Sequence, residues 1–126
     1  MLKDAFFSIM DFVDLENGRT WRIALNNAHP IFQAHFAGNP IMPGACIVQL
    51  IKELTSDYYS RTFFTRAVKN MKFLQAINPK ESLEISVSLT FERKEEGCVA
   101  VSAFLKNGDK LFVKSTLVFE NRNGQA

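Results

Sequence analysis

Residues 35–50 read HFAGNPIMPGACIVQL and are the most informative stretch of this sequence. A histidine and several turn-forming residues come directly before the Pro43-Gly44 step and an apolar run. Proline is favoured at the first position of a helix, because its missing N–H would have no partner there. We therefore expect a helix from Pro43 to about Tyr59. Its first turns are apolar on nearly every side, which is typical of a helix that other structure surrounds.

The segments on both sides of this helix have the patterns of β-strands. Met10–Leu15 and Thr20–Asn26 flank an Asn-Gly step, which is a strong β-hairpin signal, and an irregular connection is expected over Asn26–Met42. After the helix, alternating apolar and polar residues are typical of half-buried strands. The strands expected there are Ala67–Ile77, Leu83–Glu92, Val99–Leu105 and Leu111–Phe119, the last near the middle of the sheet. The sequence thus predicts an α+β fold, with a long antiparallel sheet wrapped around one helix.

The composition limits the class of protein. A chain of 126 residues is long enough for one domain, expected over residues 1–120, with residues 121–126 as a loose tail. The formal net charge of +2 argues against a nucleic-acid-binding protein. No apolar run approaches the roughly 20 residues that cross a bilayer, and the acidic residues near the start are untypical of a signal peptide. We therefore expect a cytoplasmic protein that does not span a membrane.

The cysteines and histidines give little sign of a metal site. Cys46 and Cys98 each lie in an apolar segment, so we expect two buried thiols and no disulfide. With only two histidines and no Cys-x-x-Cys motif, a bound metal is not expected. His29 has no motif around it and is interpreted as a loop residue.

The first part of the quoted stretch, HFAGNPIMPG (residues 35–44), resembles the motif of the hotdog-fold 3-hydroxyacyl-[acyl carrier protein] dehydratases. The preceding Pro30–Ala34 is similar to the aromatic lead-in of that family, with Ala34 in place of the usual glycine. The resemblance implies a hotdog domain, no cofactor, and a site at a dimer interface. In that family one subunit supplies the histidine and the other subunit supplies an acid.

Dehydration of a 3-hydroxyacyl thioester needs a base, an oxygen-binding donor and an acid. His35 is the candidate base, because a histidine with the usual pKa of about 6.5 is largely neutral at cytoplasmic pH. Gly44 lies at the expected helix start, where backbone N–H groups lack intrahelical partners and partial positive charge accumulates. Such a donor, aimed at the thioester oxygen, is typically worth about 3–4 kcal/mol to the transition state. A glycine there also lets the substrate approach the backbone closely.

The acid of the family falls five residues after this glycine, where the present sequence has Gln49. A glutamine can hold a water or a hydroxyl but cannot donate a proton at neutral pH. Glu53 lies one helical turn further along the same face, as a candidate displaced acid or a solvated charge beside Lys52. Three interpretations stay open: an enzyme that uses Glu53 or a water held by Gln49, a non-catalytic acyl-binding protein, and a subunit that works only beside a different hotdog chain.

The acyl chain is expected in a channel along the helix. The candidate wall residues, which would equally fit a protein core, are Phe32, Phe36, Pro43, Ile47 and Val48. Basic residues after the helix would attract an acidic carrier protein or lie on a solvated face. They are Arg61, Arg66, Lys69 and Lys72. The leading interpretation is a (3R)-hydroxyacyl thioester dehydratase of fatty acid or related lipid synthesis, at least a homodimer, acting on acyl carrier protein or coenzyme A thioesters. A thioesterase is the lesser alternative.

Overall fold

A computed structural model describes residues 2–31, 42–78, 80, 84–95 and 97–121. The elements within these residues are β1 (Phe7–Leu15), β2 (Gly18–Leu25), α1 (Gly44–Tyr59), β3 (Phe64–Phe73), β4 (Glu84–Arg93), β5 (Cys98–Asn107) and β6 (Lys110–Glu120). The strands form one six-stranded sheet in the order β1-β2-β4-β5-β6-β3, and every neighbouring pair is antiparallel. Pro30 and Ile31 have helical backbone, in a segment where the sequence predicts an irregular connection.

The first hairpin lies where the sequence predicts it. Its glycine, Gly18, is required by the packing of neighbouring strands and not by the turn. Leu15 pairs with Gly18, which leaves Glu16 and Asn17 as the turn. Gly18 is not among the described residues with positive φ, so the turn itself does not require a glycine. A Cβ atom at Gly18 would lie 1.9 Å from the carbonyl oxygen of Leu89 on β4. Glycine is therefore needed here because two backbones approach each other closely.

Strand β6 is interior, but β4 and β5 occupy the middle of the sheet. The continuous apolar run that predicted a central position has a local cause. The register between β5 and β6 shifts at Leu105 and Lys106, and the adjacent residues Phe112 and Val113 are both buried. A bulge of this kind turns neighbouring side chains to the same face. The run of apolar residues thus reflects the bulge more than a central position.

Strand β3 begins and ends earlier than the predicted Ala67–Ile77. It is an edge strand with two register shifts against β6, between Thr65 and Ala67 and between Val68 and Asn70. Such irregularities remove the period of two that a sequence pattern needs. Several apolar side chains of this region are exposed: Phe64, Val68, Phe73 and Leu74.

The helix supplies the centre of the core. Its buried residues are Cys46, Ile47, Leu50, Ile51, Leu54 and Thr55. The five apolar ones belong to one cluster with the inward-facing residues of β2, β4, β5 and β6, such as Trp21, Val87 and Leu117. Cys46 and Cys98 are buried and free, as predicted. The described residues include no helix long and apolar enough to cross a membrane.

Asn121, the first residue of the predicted tail, is the last residue that the structure describes. Asn121 is buried, and its backbone N–H donates a hydrogen bond of 2.7 Å to the carbonyl oxygen of Gly97. Asn121 thus belongs to the folded domain. Residues 122–126 lie outside the described residues.

Candidate active site

The first backbone N–H groups of helix α1 are candidate donors for a ligand. Pro43 has extended backbone angles (φ −67°, ψ 150°) and is the residue before the helix, so the first helical residue is Gly44 and not the predicted Pro43. The N–H groups of Cys46 and Ile47 both donate to the carbonyl oxygen of Pro43. Within the described part of the chain, no acceptor is found for the N–H groups of Gly44 and Ala45. Among the described residues, the first turn has no acidic residue and no side-chain cap to offset its partial positive charge.

A pocket of about 390 Å³ opens beside this helix start. Pro43, Gly44 and Ile47 line it, whereas Val48 is only partly buried and is not among the lining residues. The pocket is also lined by Phe73, the last residue of β3, and by the segment that follows it, residues 74–77. The structure thus brings two of the predicted wall residues and the predicted donor together in one largely apolar pocket.

Phe73 is a pocket residue that sequence reasoning missed. A Cβ atom on Gly44 would lie 3.2 Å from the tip of the Phe73 ring, so the ring packs directly over the start of the helix. The Phe73 side chain is 55% exposed, which leaves it room to change its position. Its sequence position, at the end of a strand without clear alternation, gives no signal of this contact.

Glu53 is held by three N–H donors. Its two carboxylate oxygens accept hydrogen bonds from the backbone N–H groups of Leu2 (2.6 Å) and Lys3 (2.9 Å). The Gln49 side-chain amide donates a third, with 2.7 Å between Nε2 of Gln49 and Oε2 of Glu53. Both side chains are half-buried. Glu53 is therefore neither a solvated charge beside Lys52 nor a carboxyl group free of partners.

The N-terminal loop explains why two successive N–H groups face Glu53. The carbonyl oxygen of Leu2 accepts hydrogen bonds from the N–H groups of Ala5 and Phe6, which closes a tight turn. Asp4 takes a left-handed conformation (φ 69°) at the corner of this turn. The backbone N–H groups of Leu2 and Lys3 then point outward from the turn toward helix α1. Sequence reasoning missed this contact because the donors are backbone groups, which any residue supplies.

The four predicted carrier-binding residues are exposed, and they differ in their partners. Arg66 pairs with Glu95 at 2.6 Å and contacts the sulfur of Cys98 at 2.9 Å. Hydrogen bonding to Glu95 raises the pKa of Arg66 further. In the described ranges, the side chains of Arg61, Lys69 and Lys72 form no ion pair.

Lys72 lies directly opposite Lys114 in the β3–β6 register. Like charges opposite each other in a sheet are destabilising, so this pair concentrates positive charge at a cost in stability.

The remaining predicted site residues, Phe32, His35 and Phe36, lie outside the described residues. His29 is described, and it has a structural role. Its Nδ1 atom accepts a hydrogen bond from the N–H of Ile31, and its ring packs edge-on against Phe6. Among the described residues, no cluster of histidine, cysteine and acidic side chains could hold a metal ion.

Comparison with known proteins places this chain in a family. Residues 14–112 match the family model described as ApeI-like, ApeI dehydratase. A 3-hydroxyacyl-[acyl-carrier-protein] dehydratase FabZ from Pediococcus pentosaceus is 30% identical over 122 residues, which covers 87% of this chain and 79% of the relative. The fold and these matches define a hotdog-fold protein of a dehydratase family. The chain belongs to the ApeI-like dehydratase family.

Solved structures confirm the fold. The dehydratase heterocomplex ApeI:P from Xenorhabdus doucetiae matches with a TM-score of 0.71 at 10% identity, over 90% of this chain and 96% of that chain. A thioesterase from Haemophilus influenzae matches with a TM-score of 0.62 at 15% identity, over 92% and 78% of the two chains. At these identities the likeness concerns the architecture, and the predicted hotdog fold is confirmed.

Proposed function

We propose that the protein takes part in the dehydration of 3-hydroxyacyl thioesters to trans-2-enoyl thioesters. The observation that carries this proposal is the helix start at Gly44, which lines an apolar pocket and whose backbone N–H has no acceptor among the described residues. Donors fixed in such a place stabilise the negative charge that develops on a thioester oxygen when the α-proton leaves. His35 is the base that removes this proton, by its place in the family motif. The acyl chain is carried by acyl carrier protein or coenzyme A in the cytoplasm.

The acid is supplied by a second hotdog chain. Gln49 occupies the family's acid position and cannot donate a proton at neutral pH. Glu53 accepts three N–H hydrogen bonds, from Leu2, Lys3 and Gln49, and neither Gln49 nor Glu53 lines the pocket at Gly44. Neither side chain on this helix face is thus placed to protonate the leaving hydroxyl. The Xenorhabdus doucetiae protein of the same fold is a dehydratase heterocomplex, which supports a mixed assembly here.

The edge strand β3 is the proposed contact between subunits. In the described part of the chain this strand is at the edge of the sheet, and the residues Phe64, Val68 and Phe73 are exposed. Pairing of this edge with a second chain would bury these side chains and add backbone hydrogen bonds between the chains. The pocket at Gly44 lies beside the same strand end, so the partner would complete its wall. A homodimer formed through this edge would contain two Gln49 residues and no acid.

Two other functions would give different results in an activity assay. A non-catalytic acyl-binding subunit would bind acyl thioesters without turnover in any assembly. A thioesterase would release the free carrier thiol, and the structural likeness to the Haemophilus influenzae thioesterase is the observation that keeps this function in view. The histidine and Pro-Gly motif favours dehydration over hydrolysis.

An acidic carrier protein would dock on the exposed lysines of β3. Lys69 and Lys72 are exposed and have no ion-pair partner in the described part of the chain, and Lys114 adds a third charge on the next strand. Arg66 is engaged with Glu95 and contributes less. Such a surface steers an acidic partner and raises the association rate. Of the four predicted carrier-binding residues, we therefore propose Lys69 and Lys72 as the main contacts, together with Arg61 just after the helix.

The proposed function is tested by following enoyl formation from a 3-hydroxyacyl-carrier thioester. The protein is assayed alone, as wild type and as the His35→Ala and Glu53→Gln variants. Low turnover by the wild type that does not depend on Glu53, and its loss in His35→Ala, would support the proposal. Turnover that survives His35→Ala would refute the mechanism, and fast turnover that Glu53→Gln abolishes would identify Glu53 as the acid.

A further inference from the structure

We propose that, without a partner chain, the protein associates head to tail, with strand β1 of one copy paired against strand β3 of a second copy. The proposal goes beyond the proposed function, because it concerns the chain before a different hotdog chain has bound to β3. In the described part of the chain, β1 and β3 are the two edge strands of the sheet. These two edges carry opposite charges, and both expose apolar side chains.

The edge at β1 is acidic and apolar. Residues 4–18 contain four acidic residues and no lysine or arginine. Natural edge strands are commonly protected from pairing with other chains by lysine or proline, and β1 contains neither. Its exposed apolar residues are Met10, Phe12, Val13 and Leu15. Strand β1 thus has the properties of an edge that pairs with another chain.

The acids of β1 are accessible to a second chain although each already has a partner. Asp11 pairs with Arg22 and Asp14 pairs with Arg19, in both cases with 2.6 Å between nitrogen and oxygen. The side chains of Asp11 and Asp14 nevertheless stay 54% and 63% exposed. A carboxylate offers about four lone-pair sites, so both groups can accept hydrogen bonds from further donors.

The edge at β3 is basic and apolar. The stretch from Tyr58 to Lys80 contains no aspartate or glutamate. Lys69 and Lys72 are exposed and form no ion pair within the described ranges. Opposite charges across from each other stabilise a sheet, whereas like charges destabilise it. Charge therefore favours contact between β1 and β3 over contact of either edge with its own kind.

The spacing of the side chains fits an antiparallel pairing of these two edges. Asp11 and Asp14 are three residues apart, and so are Lys69 and Lys72. An antiparallel register that places Asp11 opposite Lys72 therefore also places Asp14 opposite Lys69. The apolar pairs of this register are Met10 with Phe73, Phe12 with Met71, and Leu15 with Val68.

The faces of the two strands agree at the centre of this register. Phe12 pairs with the buried Trp21 of β2, so it lies on the side of the sheet that faces the helix. Met71 pairs with the buried Ser115 of β6 and lies on the same side. Because side chains alternate along a strand, the neighbouring Asp11 and Lys72 both lie on the opposite side. The joined sheets would thus keep their helices on one face.

Head-to-tail contact has a consequence for the pocket at Gly44. In this register Met10 of the second copy lies against Phe73, which lines that pocket. The same contact covers Lys69 and Lys72. A contact between two different edges also leaves one edge of each kind open at the ends of the assembly, so further copies can add. The self-associated chain is thus a closed form, from which a different partner must displace the second copy.

The test is sedimentation velocity of the full chain over a range of protein concentrations, at low and high salt. We expect wild type to form assemblies that grow with concentration and dissociate at high salt, because exposed ion pairs are screened. Two variants reverse one edge each: Asp11→Lys/Asp14→Lys and Lys69→Glu/Lys72→Glu. Each alone has two edges of the same charge and should associate about tenfold more weakly than wild type. Glu92→Lys, a reversal of an exposed charge on β4, should associate as wild type does.

The decisive sample is the mixture of the two edge variants. Every β1 in that mixture finds a β3 of opposite charge on the other variant, so association should return to the wild-type strength. Thermal unfolding of each variant checks the fold, and recovery in the mixture shows that both variants keep their edges intact.

A wild-type chain that stays monomeric, or that associates more strongly at high salt, would overturn the proposal. A mixture that associates no better than its components would also overturn it. So would association that responds to reversal of Lys69 and Lys72 but not of Asp11 and Asp14, because two β3 edges would then be in contact. Charge-dependent association of a chain that forms no enoyl product with any partner would leave this proposal standing and refute the proposed function.

Discussion

The ring of Phe73 lies over the backbone of Gly44, with 3.2 Å between its Cζ atom and the position of a Cβ at residue 44. The glycine at the helix start therefore serves two purposes. It leaves the N–H donors accessible, and it makes room for an aromatic residue that covers the pocket beside them. Any side chain introduced at residue 44 would clash with the Phe73 ring unless the ring moves.

The Gly44→Ala variant should fold but bind acyl ligands poorly. Phe73 is half-exposed and can shift by a few tenths of an ångström, so we expect a change in unfolding free energy within about 1 kcal/mol. The methyl group would stand between the ligand and the backbone N–H groups of the first helical turn. Binding of an acyl-pantetheine amide should weaken at least about tenfold, as measured by calorimetry beside thermal unfolding. If the double variant Gly44→Ala/Phe73→Ala recovers full binding, the loss comes from the displaced ring and not from the blocked donors.

Gly18→Ala should be among the most destabilising single substitutions. Its Cβ would lie 1.9 Å from the carbonyl oxygen of Leu89, and both groups belong to backbones of adjacent strands that cannot move independently. We expect a loss of about 3 kcal/mol or more in denaturant unfolding. Gly108→Ala is the control, because the space there is open and only its left-handed conformation (φ 59°) opposes a side chain, at about 1–2 kcal/mol. A Gly18→Ala protein as stable as Gly108→Ala would contradict the close approach of β2 and β4.

Removing the Glu53 carboxylate should free the N-terminal loop. In Glu53→Ala, the N–H groups of Leu2 and Lys3 and the amide of Gln49 lose their acceptor. We expect about 2–3 kcal/mol less stability, since hydrogen bonds to charged groups are the stronger kind. Hydrogen exchange at the amides of Leu2 and Lys3 should become faster than in wild type. Glu92→Ala, which removes an exposed carboxylate beside Lys94, should stay within about 0.5 kcal/mol. Unchanged exchange in Glu53→Ala would show that the loop does not depend on this residue.

Stability should decline in the alkaline range because of Cys46. Burial raises the pKa of its thiol above the ordinary value of 9.0, so the folded protein holds this proton more tightly than the unfolded chain does. The stability that the protonated Cys46 thiol contributes is fully present below pH 9.0. It is lost as the pH rises through the pKa of Cys46 in the folded protein. Urea unfolding between pH 7 and pH 11 should show a steeper decline for wild type than for Cys46→Ala. Burial also raises the pKa of Tyr59, which adds a decline in stability that begins at a higher pH and is the same in both proteins. Identical slopes of stability against pH in wild type and Cys46→Ala would therefore refute the assignment to Cys46.

Part of this architecture could be predicted from the sequence because single residues have strong local preferences. The Pro43-Gly44 step located the helix start to within one residue, and strict alternation located β4 and β5 almost completely. The limits of β3 could not be predicted, since an edge strand with two register shifts has no regular period. The family motif pointed to Gly44 as a donor, but not to Phe73 above it.

The environment of Glu53 was beyond sequence reasoning for a different reason. Helical spacing correctly placed Gln49 and Glu53 on one face. The other two partners of the carboxylate are backbone groups 51 and 50 residues away in the sequence. Every residue except proline has a backbone N–H, so the sequence gives no sign of these donors. Only the folded structure shows that the Glu53 carboxylate already accepts three hydrogen bonds.

The central claim is that a second chain must supply the catalytic acid. The most direct test is complementation between two forms of this chain. Wild type has the base but no acid at residue 49, and the His35→Ala/Gln49→Glu variant has the acid but no base. The two differently tagged chains are produced together, the mixed dimer is isolated, and enoyl formation from a 3-hydroxyacyl-carrier thioester is measured. The account predicts a rate about 100-fold above that of either homodimer, because a positioned general acid contributes at least that much. A wild-type homodimer as fast as the mixed dimer would contradict it.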